Sequence, residues 1–356
     1  MVVQQHGRPP ASASGDEARG QRRRRLLGLI WLAVLLLVVT AASLAVGARA
    51  LAPAEVWHGL FGGPSADQRL TEITLIVQTL RVPRTVLALG AGVALGVAGA
   101  LIQGHTRNPI ADTGLLGVNS GASFAVVLAV YLFGFENPFQ YVWFAFAGAA
   151  VAGVVVFGLA SIGRGAGNPL TLALAGQGVT IFLASMTTAV ALSDKASLDA
   201  LRFWNAGSVA GVGFDVIGVT GVFVVVGLVL ALLNLPTINL LNLGDDVARG
   251  LGVNIALGRT VGVVAITLLA GAATAACGPI AFLGLMVAHL ARALTGPDYR
   301  WLVPYSGLLG ALVLLSCDIV GRLVVRPGEL QAGLVVALVG APFFAVLVWL
   351  GKFRQT

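Results

Sequence analysis

Apolar runs of roughly 20 residues alternate with short polar breaks along this chain, the pattern of a bundle of membrane-crossing helices. The runs fall at 26–46, 82–103, 114–133, 141–162, 170–192, 216–235, 257–277, 278–294, 301–323 and 331–350. These predict an all-α polytopic protein of about ten transmembrane helices, the whole of 26–350 forming one membrane domain. A transmembrane barrel would alternate apolar and polar residues in segments of about ten, and no such alternation occurs.

The polar breaks differ in character. Residues 1–25 contain Pro9, Pro10 and several Ser and end in Arg22, Arg23, Arg24 and Arg25, which reads as a disordered cytoplasmic tail before an uncleaved first span. Residues 47–80 read as an external loop with a short interfacial helix around 55–61, and 193–214 as a second sizeable external segment. Both termini then lie inside, the C-terminal piece being 351–356. Most of the 22 Lys and Arg fall on the inner side of this topology, as the positive-inside rule requires. The break after the sixth span is the most distinctive. It runs LGDDVARGLGV, with Asp245 and Asp246 first, Arg249 in the middle and glycines on either flank. That is the pattern of a short helix lying at a membrane surface, acids near its N-terminus and glycines at its ends. In a chain that is otherwise nearly all membrane, its simplest job is to touch another protein.

Composition agrees. Of the 356 residues 57% are hydrophobic and 10% charged, far from the quarter or so charged in soluble domains. The 47 glycines suit helices that approach closely in lipid. The net charge of +7 lies in arginines at span ends, without the basic face and interleaved aromatics of a nucleic-acid binder. Cys277 and Cys317 sit in apolar runs and read as small buried hydrophobes.

Candidate chemistry is sparse. No GxxxxGK[ST], HExxH, CxxC or GxSxG pattern occurs, and the only lysines are Lys195 and Lys352, so the chain carries no P-loop and no recognisable catalytic site. Asp318 is the acid deepest in a predicted span, which makes it a candidate proton relay. Arg322 stands four residues on, and an i,i+4 ion pair accounts for both charges. Arg81, Arg84 and Arg322 all fall at external span ends, where they serve either as snorkelling anchors or as receptors for a soluble partner's carboxylates. His289, near the inner end of the eighth span, reads as a neutral imidazole bonded to a neighbouring helix.

Three motifs carry a resemblance. RVPRTVLALGAGVALGVAGALIQGHTRNPIADTGLLGVNSGA (81–122), LGDDVARGLGV followed by GPIAFLGLMVAHLARALTGPDYR, and the stretch from Asp318 to Pro342 lie in the order and spacing of one family. The chain from residue 26 to 350 resembles the permease subunits of iron-siderophore, haem and cobalamin importers, the type II ABC importers. Ala288, where the family commonly has proline, and Ala281, where it commonly has glycine, depart from the pattern.

The resemblance implies a second permease, identical or paralogous, two cytoplasmic ABC ATPase subunits and an extracytoplasmic substrate-binding protein, all at the plasma membrane. ATP and magnesium then belong to the ATPase; no cofactor, metal or nucleic acid is implied for this chain. Gly244, Asp245, Asp246, Val247, Ala248, Arg249, Gly250, Leu251 and Gly252 match the helix that couples to the ATPase. Arg81, Arg84 and Arg322 match positions that dock the binding protein. Asn108, Pro109 and Ile110 match a cytoplasmic gate, the turn 163–171 lies near a second constriction, and Gln177 sits on a pathway-lining helix. The implied function is ATP-driven import by alternating access, most simply of a ferric siderophore, with haem or cobalamin as alternatives. A proton-driven transporter working through Asp318 is the competing class. Proline at Val247 is expected to break the coupling helix.

Overall fold

The computed structural model describes residues 11–47, 49–63, 67–135, 137–162, 169–325 and 328–349. Among these the regular structure is helical throughout. Ten helices follow the ten predicted spans: α1 (Ala11–Ala45), α4 (Val82–Thr106), α5 (Val118–Phe133), α6 (Pro138–Ala160), α7 (Pro169–Ser193), α9 (Phe214–Leu241), α11 (Ile255–Cys277), α12 (Leu283–Thr295), α13 (Tyr299–Val324) and α14 (Ala332–Trp349). Four shorter helices decorate the bundle. α2 (Pro53–Phe61), α3 (Gln68–Leu75) and α8 (Lys195–Asn205) lie at the end that carries Arg81, and α10 (Asp245–Gly250) lies at the opposite end.

α4 is the axis of the packing. Its side chains are buried without interruption from Ala94 to Thr106, enclosed by α13, α11, α12 and α9. Glycine makes that enclosure possible. A Cβ on Gly96 would stand 2.1 Å from the carbonyl oxygen of Ser306, one on Gly310 2.1 Å from that of Gly92, and one on Gly99 2.4 Å from the backbone of Gly284. α4 therefore touches α12 and α13 backbone to backbone, the close approach by which small residues hold helices together in lipid. Gly96→Val should force these helices apart. We expect a loss of about 1–3 kcal/mol, read as a lower denaturation midpoint in detergent, whereas valine at Gly90, where a Cβ would meet nothing within 4 Å, should leave the midpoint unchanged.

The structure corrects several boundaries. The tail does not remain irregular up to Arg25, because α1 begins at Ala11; residues 1–10 lie outside the described set. Ala, Glu, Gln and Arg are good helix formers, and extending an existing helix costs far less than starting one. Residues 68–80 are not loop but α3 and a π-helical segment (Ile76–Arg81) continuous with α4. The sixth span runs through Pro236 to Leu241. Two spans are shorter than expected. α5 and α12 have 16 and 13 residues, about 24 and 20 Å at 1.5 Å per residue, against a hydrocarbon core of about 30 Å.

Their missing lengths are irregular backbone that is partly buried: Ala111, Thr113, Leu116 and Ile280 are buried, whereas Arg107, Ile110 and Ala281 are exposed. Before α5 stand the turn after α4 and a 3-10 turn (Thr113–Leu116). Before α12, residues 278–282 leave the helix at Gly278 (φ +73°) and re-enter at Phe282 (φ +65°). The freed carbonyl of Cys277 accepts from the Ser208 N–H at 2.7 Å.

Candidate functional site

The short surface helix exists where the polar island predicts it. Gly244 turns the chain into α10 at φ +111°, a conformation that disfavours any side chain, and Gly252 turns it out at φ +80°. Ala248 is fully buried against Leu241 and Ile255, and it is the one wholly buried residue of the helix. Leu243, Val247 and Leu251 are exposed, and the Asp246 side chain is wholly so. α10 thus rests on the bundle by one small contact and presents an apolar and acidic face outward.

Asp245 holds it there. One carboxylate oxygen receives Arg107, which terminates α4 in the left-handed conformation and also donates to the Leu241 carbonyl. The other receives Arg259 of α11 at 2.8 Å. Partial burial alone would raise the Asp245 carboxyl; hydrogen bonds and charge from Arg107 and Arg259 outweigh it and hold the group below the usual carboxylate range. Proline at Val247 is a poorer test of this helix than the sequence implied. Val247 lies in the first turn, where the N–H lacks an intrahelical acceptor and proline is tolerated.

The expected gate residues adjoin this anchor. Asn108 follows Arg107 directly, its N–H bonded to the Gln103 carbonyl at 3.2 Å, and its side-chain oxygen accepts from the Ile110 N–H at 3.1 Å. Pro109 completes this tight turn and Ile110 is exposed. One turn back on α4, buried His105 receives the Asn234 amide of α9 at 3.0 Å, and that amide also reaches the Gly258 carbonyl of α11 at 3.2 Å. Sequence reasoning missed this three-helix junction: His105 lies within the first motif, but nothing local links it to Asn234, 129 residues further on. Gln177 is exposed on α7, and residues 163–168 of the expected second constriction lie outside the described set.

At the far end the structure does gather Arg81, Arg84 and Arg322, and engages all three internally. Asp318, fully buried, is clasped by Arg322 and by Arg84, whose Nη2 stands 2.8 Å from its Oδ1. Arg84 also reaches Glu329 at 2.6 Å. Arg322 and Arg81 then cap α1. The Ser43 carbonyl accepts from Arg322 at 2.9 Å and that of Leu44 from Arg81 at 2.5 Å, while those of Ala42 and Ala45 accept from the N–H groups of Val46 and Leu51. All four carbonyls left over by the last turn of α1 are satisfied, two of them by cations that also complement the helix dipole. A cavity of about 570 Å³ opens here, lined by all three arginines together with Glu329 and Arg49, of which Arg49 is the most exposed of the cations at 47% and Arg81 and Arg322 are buried.

Eight helices long and apolar enough to cross a membrane among the described residues, two shorter apolar ones, an ionic clasp at one end and a tethered surface helix at the other fit a multi-pass membrane permease. The chain belongs to the FecCD transport family, whose model matches residues 35–350. It is 44% identical over 324 residues to the ferric enterobactin transport system permease protein FepD of Escherichia coli (strain K12), covering 91% of this chain and 95% of that protein. It is 39% identical over 305 residues to the iron(3+)-hydroxamate import system permease protein FhuB of Bacillus subtilis (strain 168), covering 86% and 78%. Against the hemin transport system permease protein HmuU of Yersinia pestis it is 34% identical over 331 residues, covering 91% and 95%. Among solved structures, an inward-facing metal-chelate type ABC transporter matches with a TM-score of 0.77 at 28% identity, covering 90% of this chain and 98% of that one.

Proposed function

We propose that this chain is the membrane subunit of an ATP-driven importer of a ferric siderophore. In this reading the α10 end faces the cytoplasm, where each of two permeases, like or unlike, meets one of two ABC ATPases. The Arg81 end faces out to receive a substrate-binding protein. The single observation that carries the reading is α10 itself: a helix anchored by Asp245 to the ends of α4 and α11, with its remaining face exposed. Such a lever transmits motion of a partner without chemistry of its own, by biasing one packing arrangement over another. The siderophore is favoured by the names of the relatives, which include ferric enterobactin and iron(3+)-hydroxamate permeases at 44% and 39% identity.

The test is reconstitution of the chain with its ATPase and binding protein in proteoliposomes, offering labelled ferric siderophores, haem and cobalamin in turn. ATP-dependent uptake of a siderophore is expected. Uptake that continues without ATP and collapses with the proton gradient would overturn the reading.

Docking at the outer face makes a narrower prediction. Arg81 and Arg322 are committed to α1, so a carboxylate of the binding protein has Arg84 to compete for, and Glu329 already holds its outer Nη1. Glu329→Gln should therefore tighten docking severalfold at low salt, with the gain fading as salt rises. Equal affinity of variant and wild type in nanodiscs would remove Arg84 from the docking surface.

A further inference from the structure

The four arginines that close the N-terminal polar stretch take no part in either site above, and two of them, Arg24 and Arg25, border a groove of about 570 Å³. One wall is α1 at Arg24, Arg25, Gly28 and Trp31; the other is the turn from α12 to α13 around Gly296, with Tyr305 behind it. Three contacts build it. The Tyr305 hydroxyl donates to the Arg25 carbonyl at 2.7 Å, and Gly28 permits this, because a Cβ there would stand 2.1 Å from that hydroxyl. The Arg25 guanidinium lies 5.9 Å from the Trp301 ring centroid, over its face. Gly296 leaves room beside it, a Cβ there standing 3.6 Å from the Arg25 Nη2.

No acid lines the groove, and among the described residues neither Arg24 nor Arg25 has a carboxylate partner. Its depth in the membrane follows from the sequence. The charged stretch ends at Arg25 and the apolar face of α1 begins at once. Trp31, 73% exposed, is six residues deeper, about 9 Å along the helix. A cationic mouth at headgroup level thus opens onto an apolar floor.

We propose that this groove binds an anionic phospholipid, its phosphate between Arg24 and Arg25 and an acyl chain along Trp31 and Leu32. Basic pockets between helices at the membrane surface select anionic headgroups, and long-stemmed arginines at that depth reach both zones. The lipid would hold α1 to the α12–α13 turn at the end of the bundle that carries α10. This proposal needs only that the chain spans a bilayer, and stands whatever the permease imports.

The full chain is placed in phosphatidylcholine nanodiscs doped with brominated phosphatidylglycerol or brominated phosphatidylcholine, and Trp31 quenching is taken as the difference from W31F. We expect the anionic lipid to be preferred by about thirtyfold in apparent affinity, about a factor of five for each arginine. R24Q/R25Q should abolish the preference, R24Q alone, at an exposed position clear of the Trp301 contact, should cut it about fivefold, and high salt should reduce it in the wild type. Equal quenching by the two lipids, or a preference that survives R24Q/R25Q, would overturn the assignment. So would displacement by inorganic phosphate, which would make this a site for a free anion, or by the ATPase partner, which would make it a protein interface.

Discussion

Replacing Asp318 by asparagine should destabilise the protein more than any other single polar change at the Arg81 end. The substitution keeps the size of the side chain and removes its charge, leaving Arg322, 2% exposed, and most of Arg84 as buried cations without their shared partner. Breaking a buried ion pair from one side costs about 3–5 kcal/mol, because the remaining charge stays desolvated. The damage should spread to α1, since Arg322 is positioned by Asp318 and in turn donates to the carbonyls of Ser43 and Val46. The check is the denaturation midpoint in detergent, with D318L/R322M as its companion. The double change removes the Arg322 cation with its partner, but it leaves Arg84 with Glu329 alone and uncaps α1, so it should recover only part of the loss. A D318N protein that melts like wild type would mean that the clasp holds nothing. If it also imported normally with ATP but lost a proton-dependent component, Asp318 would be a relay.

That clasp marks the limit of what can be read along the chain. The i,i+4 spacing exposes Asp318–Arg322, but Arg84 lies 234 residues away and only the folded bundle brings it to the same carboxylate. The three arginines are legible as a group at one end of the spans. Their use as caps for α1 is not, because it depends on which carbonyls α1 leaves unpaired and on where α1 leans. At the other end α10 is legible for a physical reason: a polar island between apolar runs, with glycines at both turns, has few other conformations open to it. Its anchors Arg107 and Arg259 are again tertiary. Apolar composition also hides breaks in helices. Residues 278–282 are as hydrophobic as the spans around them, and only Gly278 and Pro279 betray that the chain leaves the helix there. The converse error befell residues 68–81, too polar to read as a span but helical because they continue α4.

The second large effect is expected at Asp245. Asp245→Arg would set a third guanidinium against Arg107 and Arg259, turning two attractions into repulsions at the only charged tether of α10 among the described residues. With just Ala248 fully buried beneath it, the helix has little else to keep it in place. Bundle stability should change little, since the tether lies at the edge of the fold, whereas transport should fall by at least about tenfold, the loss of ~1.4 kcal/mol of coupling. Hydrolysis by the ATPase partner should continue, uncoupled from uptake.

Asp246→Arg is the control, because that carboxylate is fully exposed and, among the described residues, pairs only with Arg249 of the same helix. It should weaken association with the ATPase without loosening α10. The pH dependence has a definite sign. The folded Asp245 carboxyl titrates below its ordinary value, so the tether is fully present above about pH 4, the range of a free aspartate, and is lost as pH falls through the depressed value. At neutral pH the carboxyl is therefore ionised, and protonation does not release the tether there. If Asp245→Arg transports normally while Asp246→Arg does not, motion enters through the exposed face of α10 and reaches the bundle by Ala248 and the chain itself. If both transport normally, α10 is not the lever. The expected split, in which the first uncouples and the second dissociates, places the mechanical joint on the Arg107–Asp245–Arg259 bridge and its most direct path along α4, which ends at Arg107 and begins beside the Arg84–Asp318 clasp.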